Sequence, residues 1–153
     1  MAARPVVLAD RAAPAAIADR LIKALNTAYV AKGVSVEQRI PADLMLRCDE
    51  SDLMEMLGNL IENAFKYCRS KIAVSAQQGP LVRLLIDDDG PGVPAGQRVQ
   101  MLARGARGDT VEPGQGIGLA VVAELASNYR GALTIDESPL GGARVMLDLP
   151  GIA

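Results

Sequence analysis

Hydrophobic residues recur at helical spacing in three stretches of the chain. In the first, over residues 13–33, the apolar positions are Ile17, Leu21, Ala24, Leu25 and Ala28, and Gly33 can end the helix. A second helix is predicted to follow Ser51 and Asp52 and to run to about Tyr67. The sequence IGLAVVAELASNY predicts a third helix that ends near Gly131.

Other stretches have the alternation or the composition of β-strands. VSVEQRI alternates polar and apolar residues, and LMLRCD is expected to pair with it. KIAVSAQ and LVRLLIDD predict a hairpin around Gln78, Gly79 and Pro80, and ALTIDES and ARVMLDLP flank a PLGG turn. This mixture predicts an α/β (α+β) two-layer sandwich, in which a mixed, largely antiparallel sheet is covered on one face by about three helices.

The segment from about Gly90 to Gln115 is polar and rich in glycine and proline. A connection of about 25 residues is longer than compact domains normally use. We therefore predict a functional lid over about residues 93–113, in which Val99, Met101 and Leu102 are the main apolar anchors.

Composition narrows the classes of function. A chain of 153 residues suits one domain, and its net charge of −2 without a long basic run argues against broad nucleic-acid binding. Two cysteines form neither a disulfide framework nor a zinc pattern. The chain contains no histidine, which excludes every catalytic scheme that needs a histidine of its own. No apolar run reaches the roughly 20 residues that span a membrane.

The second helix carries a polar flank beside its apolar stripe. The stripe consists of Leu53, Leu57, Leu60, Ile61, Ala64 and Cys68, and the flank consists of Asn59, Asn63, Lys66 and Tyr67. Asparagine is a mediocre helix former, so two of them at i and i+4 call for a reason. A solvated polar face is one explanation. The other is a binding surface, since a carboxamide oxygen can bind a hard cation such as Mg²⁺.

A strand end in LLIDDDGPGVP is the second candidate feature. Gly90 and Gly92 permit backbone turns that residues with a Cβ resist, and the alternative is an ordinary acidic turn. In a binding site, the carboxylate of Asp88 would accept a hydrogen bond from an amino group deep in a pocket. Adenine offers an amino group at its six position, whereas guanine has an acceptor there, so adenine would be preferred.

The third feature is EPGQGIGLAVVAEL, in which Gly114, Gly116 and Gly118 precede and open a helix. Free backbone N–H groups and the helix dipole make such a terminus suitable for an anion, although loose glycines at a helix start are the alternative. The dinucleotide fingerprint fails because Leu119 occupies the place of its third glycine, and the phosphate loop ending in Gly-Lys-Ser/Thr is absent.

The order of these features resembles the ATP-binding catalytic domain of sensor histidine kinases, a family that shares the Bergerat fold with DNA gyrase, the Hsp90 chaperones and MutL. GNLIENAFKYC is similar to the family's asparagine box, and DDDGPGVP and GQGIGLAV are similar to its two glycine boxes. The resemblance covers nearly the whole chain, so residues 1–153 are expected to form one such domain with a long ATP lid.

The resemblance implies roles at matching positions. Asn63 is the expected Mg²⁺ ligand, Asn59 and Lys66 are expected to face the phosphates, and Tyr67 to contact the nucleotide. Asp88 would recognise the adenine amino group. Asn63, Lys66 and Arg107 are the residues expected to act in catalysis. The remaining nucleotide contacts are expected from Gly90, Gly92 and Val93 at the base, from Arg107 and Gln115 in the lid, and from Gly116, Ile117, Gly118 and Leu119 at the helix start.

Two positions depart from the family pattern, and a third separates this family from the superfamily's hydrolases. Leu102 replaces a usual phenylalanine, and Glu112 replaces a second phosphate-directed arginine, so lid closure is expected to differ. The superfamily's hydrolases carry a glutamate four residues before the metal-binding asparagine, whereas this chain has Asn59. An amide is no general base at neutral pH, so the resemblance implies phosphoryl transfer rather than hydrolysis.

The implied function is binding of Mg-ATP and transfer of the γ-phosphoryl group to a histidine on a separate dimerisation domain, which would act indirectly on a response regulator. The fragment is expected to be monomeric and to be the cytoplasmic domain of a bacterial inner-membrane protein. Two alternatives stay open. One is an anti-sigma-factor-type serine kinase, and the other is a degenerate nucleotide-binding scaffold that regulates by contact alone.

Overall fold

A computed structural model describes residues 10–102 and 117–152 of the chain. The described part contains four α-helices: α1 (Pro14–Ala28), α2 (Glu50–Tyr67), α3 (Arg98–Leu102) and α4 (Ile117–Asn128). It contains five strands: β1 (Ser35–Gln38), β2 (Lys71–Gln77), β3 (Val82–Asp88), β4 (Ala132–Glu137) and β5 (Ala143–Leu149). A single 3₁₀ turn, Val30–Lys32, follows α1, and another, Ala95–Gln97, precedes α3.

The five strands form one sheet in the order β1-β2-β3-β5-β4. Only β1 and β2 are parallel, and the other neighbours run antiparallel. The parallel pair arises because α2 provides the crossover between β1 and β2. The predicted mixed, largely antiparallel sheet and the two predicted hairpins are therefore confirmed.

Helix α2 is the centre of the helical layer. It contacts α1 on one side and α4 on the other, and it packs on β3. Its predicted apolar stripe is buried, with Leu53, Leu57 and Ile61 fully inaccessible to solvent. The helix begins one turn earlier than the sequence suggests, because the Asp49 side chain accepts a hydrogen bond from the Asp52 N–H at 3.1 Å and caps the helix. A two-layer sandwich results, as predicted.

The opposite face of the sheet is polar. Arg83 pairs with Asp148, and Arg144 pairs with Asp87, each through an Nε–Oδ1 contact of 2.8 Å. Both pairs join residues that lie directly opposite each other on β3 and β5. Because the face is covered by charged side chains, the sheet needs helices on one side only.

The predicted pairing of LMLRCD with β1 is wrong. Leu44, Leu46 and Cys48 are buried in alternation, as in a strand, but Leu46 forms isolated antiparallel bridges with Ala12 and Gly151. The partner of β1 is β2 instead. Alternation identifies which residues face the core, whereas the partner of an extended segment depends on contacts distant in sequence, which is why the pattern could not supply it.

Two predicted helix ends also shift. The first helix ends at Ala28, and the 3₁₀ turn that follows is closed by Gly33, whose φ is +65°. The third helix ends at Asn128, and Arg130 adopts a positive φ of 61° before β4. In the described part of the chain, none of the helices combines the length and the apolar character that crossing a membrane requires.

Replacement of Leu46 tests the importance of the corrected segment. Leu46 is completely buried between the two bridging segments, so Leu46→Ala should lower the free energy of unfolding by about 2–5 kcal/mol. Leu81→Ala is the control, because Leu81 is 37% exposed and should cost far less. Urea unfolding followed by circular dichroism measures both. Equal losses in the two variants would contradict the assignment of Leu46 to the core.

Candidate functional site

The end of β3 meets the end of α2 at unusually close range. A Cβ built on Gly90 would lie 2.1 Å from the carbonyl oxygen of Tyr67, so only glycine fits there. The strand end therefore lies directly beside the last turn of the helix. This contact brings the aspartates of DDDGPG next to the polar flank of α2.

Asp88 is 6% exposed and points into this junction. Its Oδ1 accepts hydrogen bonds from the backbone N–H groups of Gly90 at 2.9 Å and Ala143 at 3.2 Å. No described residue donates to Oδ2. Burial raises the pKa of Asp88 above its ordinary value, although the two N–H groups act in the opposite direction. Asp88 is thus a rigidly held carboxylate with one acceptor atom available to a ligand.

The neighbouring aspartates have different partners. Asp87 faces the polar side of the sheet and forms the ion pair with Arg144. Asp89 lies beyond the strand, where its carboxylate accepts hydrogen bonds from the backbone N–H groups of residues 69–71. Although burial raises the pKa of Asp89, these N–H groups outweigh the effect and lower it below its ordinary value. Only Asp88 of the three is directed into a cavity.

A cavity with mainly apolar walls lies over Asp88. Its lining residues are Asn63, Tyr67, Asp88, Pro91, Gly92, Val93, Pro94, Gln97, Met101, Leu119, Ile135, Ala143 and Val145. Mainly apolar walls with a few polar side chains, among them the buried carboxylate of Asp88, are typical of a site for a small organic ligand. We call this cavity the base cavity.

A second, more polar cavity adjoins it between α2 and α4. Its lining residues are Glu55, Asn59, Glu62, Asn63, Lys66, Gly118, Leu119 and Val121. Asn63 and Leu119 line both cavities, so the two cavities adjoin at these side chains. We call the second one the polar cavity.

Asn59 is oriented by its own helix and by α4. Its Nδ2 donates to the carbonyl oxygen of Glu55 at 3.0 Å. Its Oδ1 would be 3.1 Å from a Cβ built on Gly118, so the first turn of α4 packs closely on this side chain. The absence of a side chain at Gly118 keeps the polar cavity open between the two helices.

Most sequence-predicted residues lie at the two cavities. Asn63, Tyr67, Asp88, Gly92, Val93 and Leu119 line the base cavity, and Asn59, Asn63, Lys66, Gly118 and Leu119 line the polar cavity. Gly90 lies at the junction beneath them. Arg107, Glu112, Gln115 and Gly116 lie outside the described residues, and so does most of the predicted lid. For Ile117 only the backbone position in α4 is described.

The described beginning of the predicted lid is partly helical. Arg98 donates through Nε to the carbonyl oxygen of Val93 at 3.0 Å and contacts Asp136 of β4 at 3.7 Å. Met101 and Leu102 are half-buried against the core, whereas Val99 is 80% exposed and does not anchor the segment. The expectation for Val99 is therefore wrong, because it lies on the solvent side of α3.

The sequence reasoning missed the contribution of β4 and β5. Ile135, Ala143 and Val145 line the base cavity, and Gly142 donates through its N–H to the carbonyl oxygen of Asp88 at 3.1 Å. A Cβ on Gly142 would lie 2.3 Å from Asp88 Oδ1. In the sequence, the two glycines of PLGG indicate a turn between two strands, and the close approach of Gly142 to Asp88 is visible only in the structure.

A family model described as "Histidine kinase-, DNA gyrase B-, and HSP90-like ATPase" matches residues 48–152. The chain belongs to this family. The matched range contains α2, the whole base cavity and the whole polar cavity. The family assignment therefore rests on the same part of the chain as the site geometry.

Curated relatives are sensor proteins named PhoQ. The two-component sensor PhoQ of Pseudomonas aeruginosa is 43% identical over 130 residues, which cover 84% of this chain and 29% of that protein. The sensor protein PhoQ of Escherichia coli is 40% identical over 132 residues, covering 86% and 27% respectively. These identities confirm the predicted resemblance to sensor kinases. The chain spans less than a third of the length of these relatives.

Solved structures of sensor kinases have the same fold. The mycobacterial sensor histidine kinase MprB superimposes with a TM-score of 0.79 at 25% identity, covering 93% of this chain and 97% of that one. The ATP binding domain of PrrB from Mycobacterium tuberculosis superimposes with a TM-score of 0.77 at 28% identity, covering 94% of this chain and 98% of that one. The whole architecture, including β1 and α1, is therefore that of a histidine-kinase catalytic domain.

Gly142 provides a test of the geometry around Asp88. In Gly142→Ala, the new methyl group would collide with Asp88 Oδ1, so the carboxylate must move and affinity for an adenine nucleotide should fall at least about tenfold, or about 1.4 kcal/mol. Gly79→Ala is the matched control, because its Cβ would meet nothing closer than 3.6 Å. Calorimetric titration with an ATP analogue measures both. Unchanged affinity in Gly142→Ala would show that the Asp88 position is unimportant.

Proposed function

We propose that this chain is the catalytic domain of a sensor histidine kinase, which binds Mg-ATP and transfers its γ-phosphoryl group to a histidine on a separate dimerisation domain. The observation that carries the proposal is the available Oδ2 of Asp88 in a mainly apolar cavity that adjoins a polar one at Asn63 and Leu119. Family membership gives independent support.

Adenine fits the chemistry of the base cavity. The exocyclic amino group would donate to Asp88 Oδ2, while the apolar walls cover the ring. Guanine would place an acceptor oxygen against a buried carboxylate, which is unfavourable because neither group can donate. Asp88 would therefore provide both affinity and selection between the two purines.

The phosphates would occupy the polar cavity. Lys66 supplies positive charge, and the first turn of α4 at Gly118 supplies backbone N–H groups and the positive end of the helix dipole. Glu55 and Glu62 line the same cavity, so a triphosphate needs a cation in addition to Lys66. Asn63 borders both cavities, and its amide oxygen is of the type that Mg²⁺ accepts, so we assign Asn63 as the metal ligand.

The same cavity favours transfer over hydrolysis. Asn59 holds the position where a general base would activate water, and its amide is held by the Glu55 carbonyl oxygen and the close approach of Gly118. An amide cannot take a proton from water at neutral pH. In the transfer step, the bond between the γ-phosphorus and the bridging oxygen breaks, a phosphorus–nitrogen bond to the acceptor imidazole forms, and ADP leaves. Lys66, and Arg107 from the lid, would stabilise the charge on the transferred group.

The acceptor must belong to another part of the protein or to another chain, because this chain contains no histidine. We propose a histidine-bearing helical dimerisation domain of the same parent kinase, with a response regulator as the later recipient. By analogy with PhoQ, the parent would be an inner-membrane sensor, with this domain in the cytoplasm and monomeric by itself. The serine-kinase and scaffold alternatives have no specific observation in their favour.

Asp88→Asn tests recognition of the base. The substitution preserves shape but removes the charge, so binding of an ATP analogue should weaken by about 1.5–3 kcal/mol, and the preference for adenine over guanine should diminish. Calorimetric titration of ATP and GTP analogues measures both effects. Asp43→Asn, at an exposed position that lines neither cavity, controls for net charge. If Asp88→Asn binds ATP analogue as tightly as the parent does, Asp88 is not the base-recognising residue.

Asn63→Ala tests the metal role. Loss of the amide oxygen should remove most of the Mg²⁺-dependent part of nucleotide affinity and nearly all phosphoryl transfer to an added histidine-bearing dimerisation domain. Affinity should be measured with and without Mg²⁺, and transfer with γ-labelled ATP. Asn26→Ala, on the exposed side of α1, is the matched control. Retention of Mg²⁺-dependent binding and of transfer in Asn63→Ala would refute the assignment.

A further inference from the structure

The last turn of α2 carries side chains of both cavities, yet it lies at a helix end. A helix C-terminus leaves backbone carbonyl oxygens without partners in the helix and is usually the first part to fray. In α2 this turn includes Lys66 and Tyr67, Asn63 lies immediately before it, and Cys68 immediately after it has an extended backbone. A kinase that binds its nucleotide here needs this turn to be held in place.

Lys32 holds the turn from one side. Its Nζ donates to the carbonyl oxygens of Phe65 at 2.7 Å and Lys66 at 2.8 Å. These are two of the carbonyl groups that the end of the helix leaves without partners. An ammonium group at this point also interacts favourably with the negative end of the helix dipole. The 3₁₀ turn after α1, closed by Gly33, delivers Lys32 to this position.

Asp89 holds the chain immediately beyond the turn. Its Oδ1 accepts from the backbone N–H groups of Arg69 at 2.7 Å, Ser70 at 3.0 Å and Lys71 at 3.1 Å. The N–H of Asp89 in turn donates to the carbonyl oxygen of Lys71 at 3.2 Å. Because Asp89 follows Asp88 directly, the carboxylate that faces the base cavity is tied to the segment that ends α2.

Lys32 and Asp89 therefore bind the two sides of the helix end with opposite charges. The ammonium group of Lys32 binds carbonyl groups of the last turn of α2, and the carboxylate of Asp89 binds the N–H groups that follow the helix. Neither residue lines the base cavity or the polar cavity. Any effect on a ligand must act through the backbone of the turn that they hold. We call the two residues together the α2 clamp.

We propose that the α2 clamp positions the phosphate-binding side chains of α2 relative to Asp88, and that Lys32 and Asp89 are positioning residues for nucleotide binding. This inference rests on the proposed function. The clamp sets the distance between the group that recognises the base and the groups that face the phosphates. The affinity of a ligand that occupies both cavities depends on that distance. A ligand in the base cavity alone does not span it, and Tyr67 of the turn is only one of the many residues that line this cavity, so its affinity depends on the clamp less.

Adenosine and a non-hydrolysable Mg-ATP analogue distinguish these two cases. In Lys32→Met, which keeps the aliphatic stem and removes the donors, affinity for the Mg-ATP analogue should fall about tenfold, while affinity for adenosine changes less than about twofold. Lys32→Arg keeps the charge and the donors and should restore most of the loss. Lys23→Met removes one exposed lysine from α1 and should bind both ligands like the parent.

A double-mutant cycle tests whether the two residues act together. Asp89→Asn should also lower the affinity for the Mg-ATP analogue. In the double variant Lys32→Met, Asp89→Asn, the fold-loss of this affinity should be smaller than the product of the two single fold-losses, because both changes release the same turn. Urea unfolding establishes that each variant is folded at the titration temperature. If Lys32→Met does not fold, Lys32→Gln takes its place in the same measurements.

The outcomes separate this inference from the proposed function. If the parent chain binds neither ligand, the proposed function fails. If the parent binds the Mg-ATP analogue and Lys32→Met binds it equally well, the α2 clamp has no positioning role. Equal loss of affinity for adenosine and for the Mg-ATP analogue would overturn the inference, because a general loss of structure would produce it. Strictly independent effects of the two substitutions would also overturn it, because the two residues would then not act on the same turn.

Discussion

The close contact between the end of β3 and the end of α2 is the constraint on which the site depends. Gly90 allows the strand to approach the Tyr67 carbonyl oxygen to a distance that no side chain would tolerate. Once the backbones meet there, Asp88 and Asn63 line one cavity although they come from different layers of the sandwich. The site therefore lies where the end of β3 contacts the end of α2, and the packing of the rest of the fold maintains this contact.

The three consecutive aspartates 87–89 have different partners because the strand directs their side chains to different places. Successive side chains on β3 point to opposite faces of the sheet, so Asp87 pairs with Arg144 on the polar face and Asp88 points to the helical face. Asp89 follows the strand and binds the turn after α2. A buried carboxylate is costly unless it is hydrogen-bonded, and the N–H groups of Gly90 and Ala143 reduce that cost at Asp88 while leaving one oxygen available.

Two helices divide the proposed phosphate site between them. Helix α2 contributes amide and ammonium side chains, and α4 contributes its first turn, which reaches Asn59 only because residue 118 is glycine. At their other ends the helices are joined by Tyr129, whose hydroxyl donates to Asp52 and accepts from the Asp49 N–H at 3.3 Å. Contacts at both ends fix the angle between the helices and so the width of the polar cavity.

The sequence by itself determined α1, α2, α4 and the five strands, and it singled out Asn63, Asp88 and Gly118 as candidate site residues, because periodicity and glycine requirements are local properties. The tertiary structure alone decided the partner of β1, the bridges of Leu46, the wall formed by β5, and the contact of Lys32 with α2. Each of these joins residues far apart in sequence. Such contacts leave no period in the chain, since their partners are selected by packing of the whole sandwich and not by neighbours along the backbone.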